Sequence, residues 1–186
     1  MSYVRDCESL ASIFGTLDYK LNILVKNAID RLIENSNIIK LTCPLGTNLI
    51  GEITKDNSET TEVSVLRFPI LVPKPIDAKP FSGKVVLNNY LTSTGSRFYK
   101  PNFIKINSEV TIHIENGRIA DMQGTSDDVI NIQNHYTYVS QKFDIDMHAV
   151  HSWHPGIHPG TEDNKFYEND PDKWSNTVFG QPKYLH

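Results

Sequence analysis

The segment that most restricts the fold runs from Glu109 to Met122. Glu109-Val110-Thr111-Ile112-His113-Ile114-Glu115 alternates with period two, Asn116-Gly117 follows directly, and Arg118-Ile119-Ala120-Asp121-Met122 returns. Alternation of this kind puts successive side chains on opposite faces of a strand. A tight type I′ turn needs positive φ at both central residues, and Asn-Gly meets that need best, so the pattern predicts a β-hairpin. A chain organised around it holds antiparallel strands.

The flanking sequence extends the sheet. Ile38–Thr42 reads as a strand, Cys43–Asn48 as a turn and Leu49–Thr54 as the returning strand. Glu62–Leu66, Ile70–Val72 and Lys84–Leu87 are further short strands, with four prolines between 69 and 80 marking an irregular crossing. Residues 6–15 predict a short helix ending near Gly15, and Thr16 can cap a second. In that second helix Leu17, Leu21, Leu24, Val25, Ala28, Leu32 and Ile33 follow the spacing of one buried face. Lys20, Lys26, Asp30, Arg31 and Glu34 would take the wet side. After Gly124, Thr125 or Ser126 caps a later helix to about Lys142, with Asp127 and Asp128 favoured by the dipole of its first turn. Phe143–Val150 reads as a strand, and Val178–Gly180 and Lys183–His186 as closing strand ends. The order predicts an α+β fold, with a mainly antiparallel sheet or partly closed barrel, N-terminal helices and one later helix. We expect a single domain over 1–186: a helical segment 1–36, a β region 37–124, and a helix, histidine-rich loop and closing strand over 125–186.

Composition excludes several classes. A net charge of −4 provides no basic field for nucleic acid or anionic membrane. Met1–Asp6 lacks the apolar core of a signal peptide, and no run of about 18 apolar residues could span a bilayer. Two cysteines, Cys7 and Cys43, make no disulfide framework and suit a reducing cytoplasm. The chain stops at His186 without a polar tail, as a domain cut from a longer chain would.

Chemistry concentrates in one place. Four of the seven histidines fall within His148–His158, beside Pro155, Gly156, Pro159 and Gly160, which exclude regular structure. Neutral imidazole is the commonest metal ligand and titrates near neutral pH. His151-x-x-His154 and His154-x-x-x-His158 are the spacings of interest, with Asp144, Asp146, Glu162 and Asp163 as nearby carboxylates. Two histidines and one carboxylate with open positions suit non-haem Fe(II), whereas three nitrogen or oxygen ligands plus water suit zinc. The plainer alternative is a loop whose histidines bond backbone and solvent. His113 and His135 fall within a predicted strand and helix and read as structural.

The run Ile39–Leu49, containing Pro44-Leu45-Gly46-Thr47-Asn48, resembles the "strand, Pro-x-Gly-Thr-Asp/Asn, strand" opening of the thermophilic aminopeptidase T family. Relatives of that family include the dihydroxypyridine dioxygenases. Val110–Ile119 resembles its Asn/Asp-Gly hairpin, the loop His151–Gly160 falls where such proteins place a metal-binding histidine, and the segment ending at His186 falls where they carry a histidine-x-aspartate pair. The chain departs from the pattern in three ways. Arg67-Phe68-Pro69-Ile70-Leu71 stands where the peptidases carry a metal-binding glutamate, and these 186 residues supply neither the aspartate expected after His186 nor the family's N-terminal α/β domain.

The resemblance implies the C-terminal part of a metalloenzyme, nearest the dioxygenase branch. There a hydroxylated ring and O2 meet at a metal that acts as Lewis acid and electron conduit. His151, His154 and His186 are the implied ligands, Glu162 the candidate carboxylate, and His158 the candidate base or hydrogen-bond donor. Either His151 or His154 matches the family's loop ligand. Fe(II) is favoured over zinc or cobalt. A metal-dependent aminopeptidase and a non-catalytic metal- or partner-binding domain are the alternatives. The partner would be an aromatic or peptide-like small molecule, and self-association is open.

Overall fold

The computed structural model describes residues 7–53, 66–93, 98–161, 174–175 and 179–183. The fold is α+β. In chain order its elements are α1 (Cys7–Ala11), α2 (Ile13–Thr16), α3 (Tyr19–Glu34), β1 (Ile38–Thr42), β2 (Asn48–Glu52), β3 (Leu66–Arg67), β4 (Ile70–Leu71), β5 (Ile76–Asp77), β6 (Phe81–Leu87), β7 (Tyr90–Thr92), β8 (Phe103–Lys105), β9 (Val110–Glu115), β10 (Arg118–Gln123), α4 (Ser126–Phe143) and β11 (Ser152–Trp153). They divide into two compact units interleaved along the chain. One draws on residues 1–36, 55–77 and 152–186, the other on 37–54 and 78–151.

The second unit is built on a five-stranded antiparallel sheet of order β1-β2-β6-β9-β10. Its centre is the expected hairpin. Asn116 and Gly117 have φ of 49° and 69°, and Val110, Ile112 and Ile114 turn one face of β9 into the core. Gly117 is required there twice over, because a Cβ would also meet the Lys79 Cα at 2.7 Å. Leu49, Phe81, Ile104, Ile106 and Ile132 are buried in the same unit. The α4 helix starts where the sequence indicated. Thr125 is its N-cap, and the buried Asp128 carboxylate accepts from Asn107 N at 3.0 Å and Ser108 N at 2.9 Å, tying the helix to the chain before β9. Those bonds, led by the one from Asn107, hold the Asp128 carboxyl below its usual range despite burial.

The other unit holds α1–α3, the β3–β4 and β5–β11 pairs and a small core of Phe14, Ile70 and Val72 with Phe179. Here α3 departs from expectation. Its cap is Asp18, whose carboxylate accepts from Lys20 N and Leu21 N, and not Thr16, which closes α2. Its apolar face is largely exposed, and two of the five residues expected on the wet side are buried. Leu24 and Leu32 are 65% and 69% exposed, whereas Lys26 and Asp30 are 5% and 7% exposed. Lys26 and Asp30 are turned inward because they have partners there, whereas Lys20, Arg31 and Glu34 stay exposed as expected and Glu34 meets Lys74 at the surface. Lys26 Nζ lies 2.6 Å from Asp30 Oδ2, Asp30 Oδ1 accepts from Lys74 N at 2.8 Å, and Glu34 pairs with Lys74 Nζ.

The strand expected over Phe143–Val150 does not form, and the described part of the expected closing strand ends is a turn. Phe143 ends α4, Asp144 follows in the left-handed region at φ 53°, and the only pairing before His151 is a bridge of Ala149 with Arg118. Local bonds compete with the ladder here: Ser140 Oγ donates to Ile145 O, and the Asp146 carboxylate accepts from His148 N. At the end of the described chain, Phe179–Gly180 is a turn whose backbone bonds to Ser175 and His158 instead of to a strand. Glu62–Val65, Val178 and Tyr184–His186 lie outside the described residues.

Candidate functional site: the histidine loop

The approach to the loop is held by backbone bonds within the sheet unit. Val150 N donates to Gly117 O at 2.9 Å, Ile119 N to His148 O at 2.8 Å, and Ala78 N to His151 O at 3.0 Å. His151 therefore has a defined backbone. Its side chain is exposed and, among the described residues, makes no hydrogen bond, ion pair or ring contact. His148 is also exposed, with Nδ1 3.8 Å from Asp146 Oδ1. Asp146 is already engaged: Arg118 Nη1 lies 2.7 Å away, and that bond, first among its causes, lowers the carboxyl's pKa.

The loop's later residues belong to the other unit. Ser152 and Trp153 form β11, opposite Asp77 and Ile76 of β5. His154 Nε2 is 2.8 Å from Ser152 Oγ, and its ring sits 5.7 Å from that of Phe179. Gly156 lets the chain pass Gln181, whose carbonyl would be 2.4 Å from an added Cβ. His158 is the most enclosed of the set, at 1% exposure. Its backbone N donates to Gly180 O at 2.7 Å, its carbonyl accepts from Thr161 Oγ1 at 2.7 Å, and its Nδ1 accepts from Gly160 N at 3.1 Å. The ring lies 5.6 Å from that of Phe14. Burial pushes the imidazole pKa down, offset in part by backbone bonds. With Nδ1 accepting from Gly160 N, the neutral form of the ring carries its proton on Nε2.

These positions separate the sequence candidates. His154 and His158 are engaged in packing and hydrogen bonds, and His151 is free. Glu162 and His186 lie outside the described residues. Asp144 caps α4 and Asp146 serves Arg118. Among the described residues no three His, Cys, Asp or Glu side chains gather as a metal site requires. The described donors therefore do not themselves compose a metal centre, although His151 fits the part of one ligand. The sequence reading missed Asp128 as a long-range hub. Its Thr125-x-x-Asp128 spacing signals a cap, but nothing local signals Asn107 and Ser108.

The fold and loop thus define an α+β protein that presents the exposed imidazoles of His148 and His151 among its described residues. Among solved structures, the chain is similar to 2,5-dihydroxypyridine dioxygenase from Pseudomonas putida KT2440, with a TM-score of 0.60 and 16% identity over 96% of this chain and 50% of that one. The likeness is one of fold, and the chain spans half the length of that neighbour. No family model matches the chain. No curated protein matches it. No described helix is long and apolar enough to cross a membrane.

Proposed function

We propose that the chain belongs to a metal-dependent oxidoreductase of dioxygenase type, with His151 as the metal ligand supplied by the loop. The observation that carries this reading is the free, exposed imidazole of His151 on a hydrogen-bonded backbone. Binding residues work best when a rigid frame holds them and their own polar atoms are unspent. The family resemblance names His186 and Glu162 as the further ligands, and both lie outside the described residues. His154 and His158 stay in this reading as the alternative ligand and the base, and their hydrogen bonds also hold the loop. Two histidines and a carboxylate favour Fe(II) over zinc or cobalt, and iron supplies O2 chemistry that side chains lack. The structural neighbour's name gives 2,5-dihydroxypyridine as what it acts on, so a small hydroxylated aromatic ring is the substrate class proposed here. The free thiols of Cys7 and Cys43 fit work in the reducing cytoplasm.

The test is O2 uptake by protein loaded anaerobically with Fe(II), with 2,5-dihydroxypyridine or a catechol. Uptake requiring both iron and ring, and falling at least about 100-fold in His151→Ala, supports the proposal. Uptake no faster than that of free iron contradicts it. Hydrolysis of amino-acid amides with added cobalt or zinc would replace it with a peptidase.

A further inference from the structure

The side chains that α3 buries are Asn22, Lys26 and Asp30, and all of them are polar. They follow one another at steps of four residues, so they form a single row along the inner face of the helix. Burying such groups is unfavourable unless hydrogen bonds replace the lost water, so each donor and acceptor needs a partner. Asp30 is served: Oδ2 faces Lys26 Nζ at 2.6 Å, and Oδ1 accepts from Lys74 N at 2.8 Å. Lys26 spends one of its three ammonium donors on Asp30 and meets no other partner among the described residues. Asn22 Nδ2 is enclosed, in a side chain 4% exposed, and has no partner among them at all.

The row is therefore unbalanced in one direction. From Asn22 to Lys26 it offers amide and ammonium donors and lacks acceptors for them. The strand that α3 packs against brings none from its side chains, because Ile70 and Leu71 are apolar and fully buried, as is Val72 after them. Water would meet the donors, but it carries hydrogens of its own into the same place. A carboxylate only accepts, and hydrogen bonds from an ammonium to it are among the strong ones. Asn22 and Lys26 stand one turn apart, with Cβ atoms about 5–6 Å from each other, a gap that the paired oxygens of one carboxylate can bridge. At the Asn22 end of the row, Tyr19 and Phe68 meet edge to face at 5.5 Å, and both reach solvent, so the row ends at the surface. We infer that the inner face of α3 is a binding site for a small carboxylate, held between Asn22 Nδ2 and Lys26 Nζ in apolar surroundings. No residue of the histidine loop takes part, so the inference stands without the metal reading.

The probe is acetate, with chloride at equal ionic strength as the control. The melting temperature of the parent should rise saturably with acetate, because a ligand held only by the folded state stabilises it, and should not rise with chloride. Asn22→Leu removes the unpartnered amide and keeps the size of the side chain, so it should fold at least as stably as the parent. It should bind acetate at least about 10-fold more weakly, the loss expected for one hydrogen bond to a charged group. A second reading does not depend on the stability of the variant. The side-chain amide signals of Asn22 in isotope-labelled parent protein, assigned by their loss in Asn22→Leu, should move with acetate and stay in place with chloride. Amide signals that acetate leaves unmoved, or a melting temperature that it does not raise, overturn the inference and leave ordered water at most in the row. A rise that Asn22→Leu retains in full overturns it as well, because the acetate then binds elsewhere.

Discussion

At the scale of the residue, the histidine loop shows that identical side chains can hold opposite roles a few positions apart. His158 is enclosed, neutral and bonded through both its ring and its backbone. His151 presents an unspent ring. The difference is measurable. The pKa of His158 is lowered in the folded protein, so the unfolded chain binds the proton more readily. The stability from keeping this ring neutral is fully present above the unfolded value of about 6.5 and is lost as pH falls through the folded value. Thermal melts across that window should show a decline that His158→Gln flattens. At pH 7.5 His158→Ala should cost about 2–3 kcal/mol through a cavity and orphaned partners, whereas His151→Ala should leave the melting temperature unchanged. The buried ion pair makes a second residue-scale case. Lys26→Ala leaves Asp30 charged in the interior and should cost about 3 kcal/mol in denaturant unfolding, more than Lys26→Leu combined with Asp30→Leu.

At the scale of the element, helices are positioned by their ends as much as by their faces. Thr125 caps α4 through its side chain, so Thr125→Ala should cost about 1 kcal/mol, read by urea unfolding. Asp128 adds a pH dependence. Its folded pKa is lowered, so its contribution is present above the unfolded value near 3.9 and disappears as pH falls through the folded one. Asp128→Asn should lower the melting temperature at pH 7 and blunt the acid limb of the profile. At the hairpin, Gly117→Ala must place a Cβ 2.7 Å from Lys79 Cα at positive φ. It should cost more than about 1 kcal/mol, beyond the usual gain from a less flexible unfolded chain.

At the scale of the whole molecule, what could be read from the sequence depended on how local its cause was. The β9–β10 hairpin was legible because its turn and alternation are encoded side by side, as was the start of α4 at Thr125. Periodicity located α3 and its apolar stripe, but it cannot say which face the rest of the chain covers. That depended on Lys74, which reaches Asp30 and Glu34 across 44 and 40 residues. The strand expected over Phe143–Val150 gave way to short-range bonds from Ser140 and Asp146, which compete with any ladder. For the site, composition identified the loop, and only the packing of His154 against Ser152 and Phe179 and of His158 against Phe14 distinguished the engaged imidazoles from the free one.

The claim at the centre is that His151 holds a metal for a dioxygenase-type reaction. The most direct measurement is the metal content of protein purified without chelator or affinity-tag metal, by mass spectrometry, for the parent chain and His151→Ala side by side. The account predicts near-stoichiometric iron in the parent and its loss in the variant, with the same melting temperature for the two once both are stripped of metal. A parent that neither carries nor takes up metal, or a variant that holds it as tightly as the parent, would contradict the account.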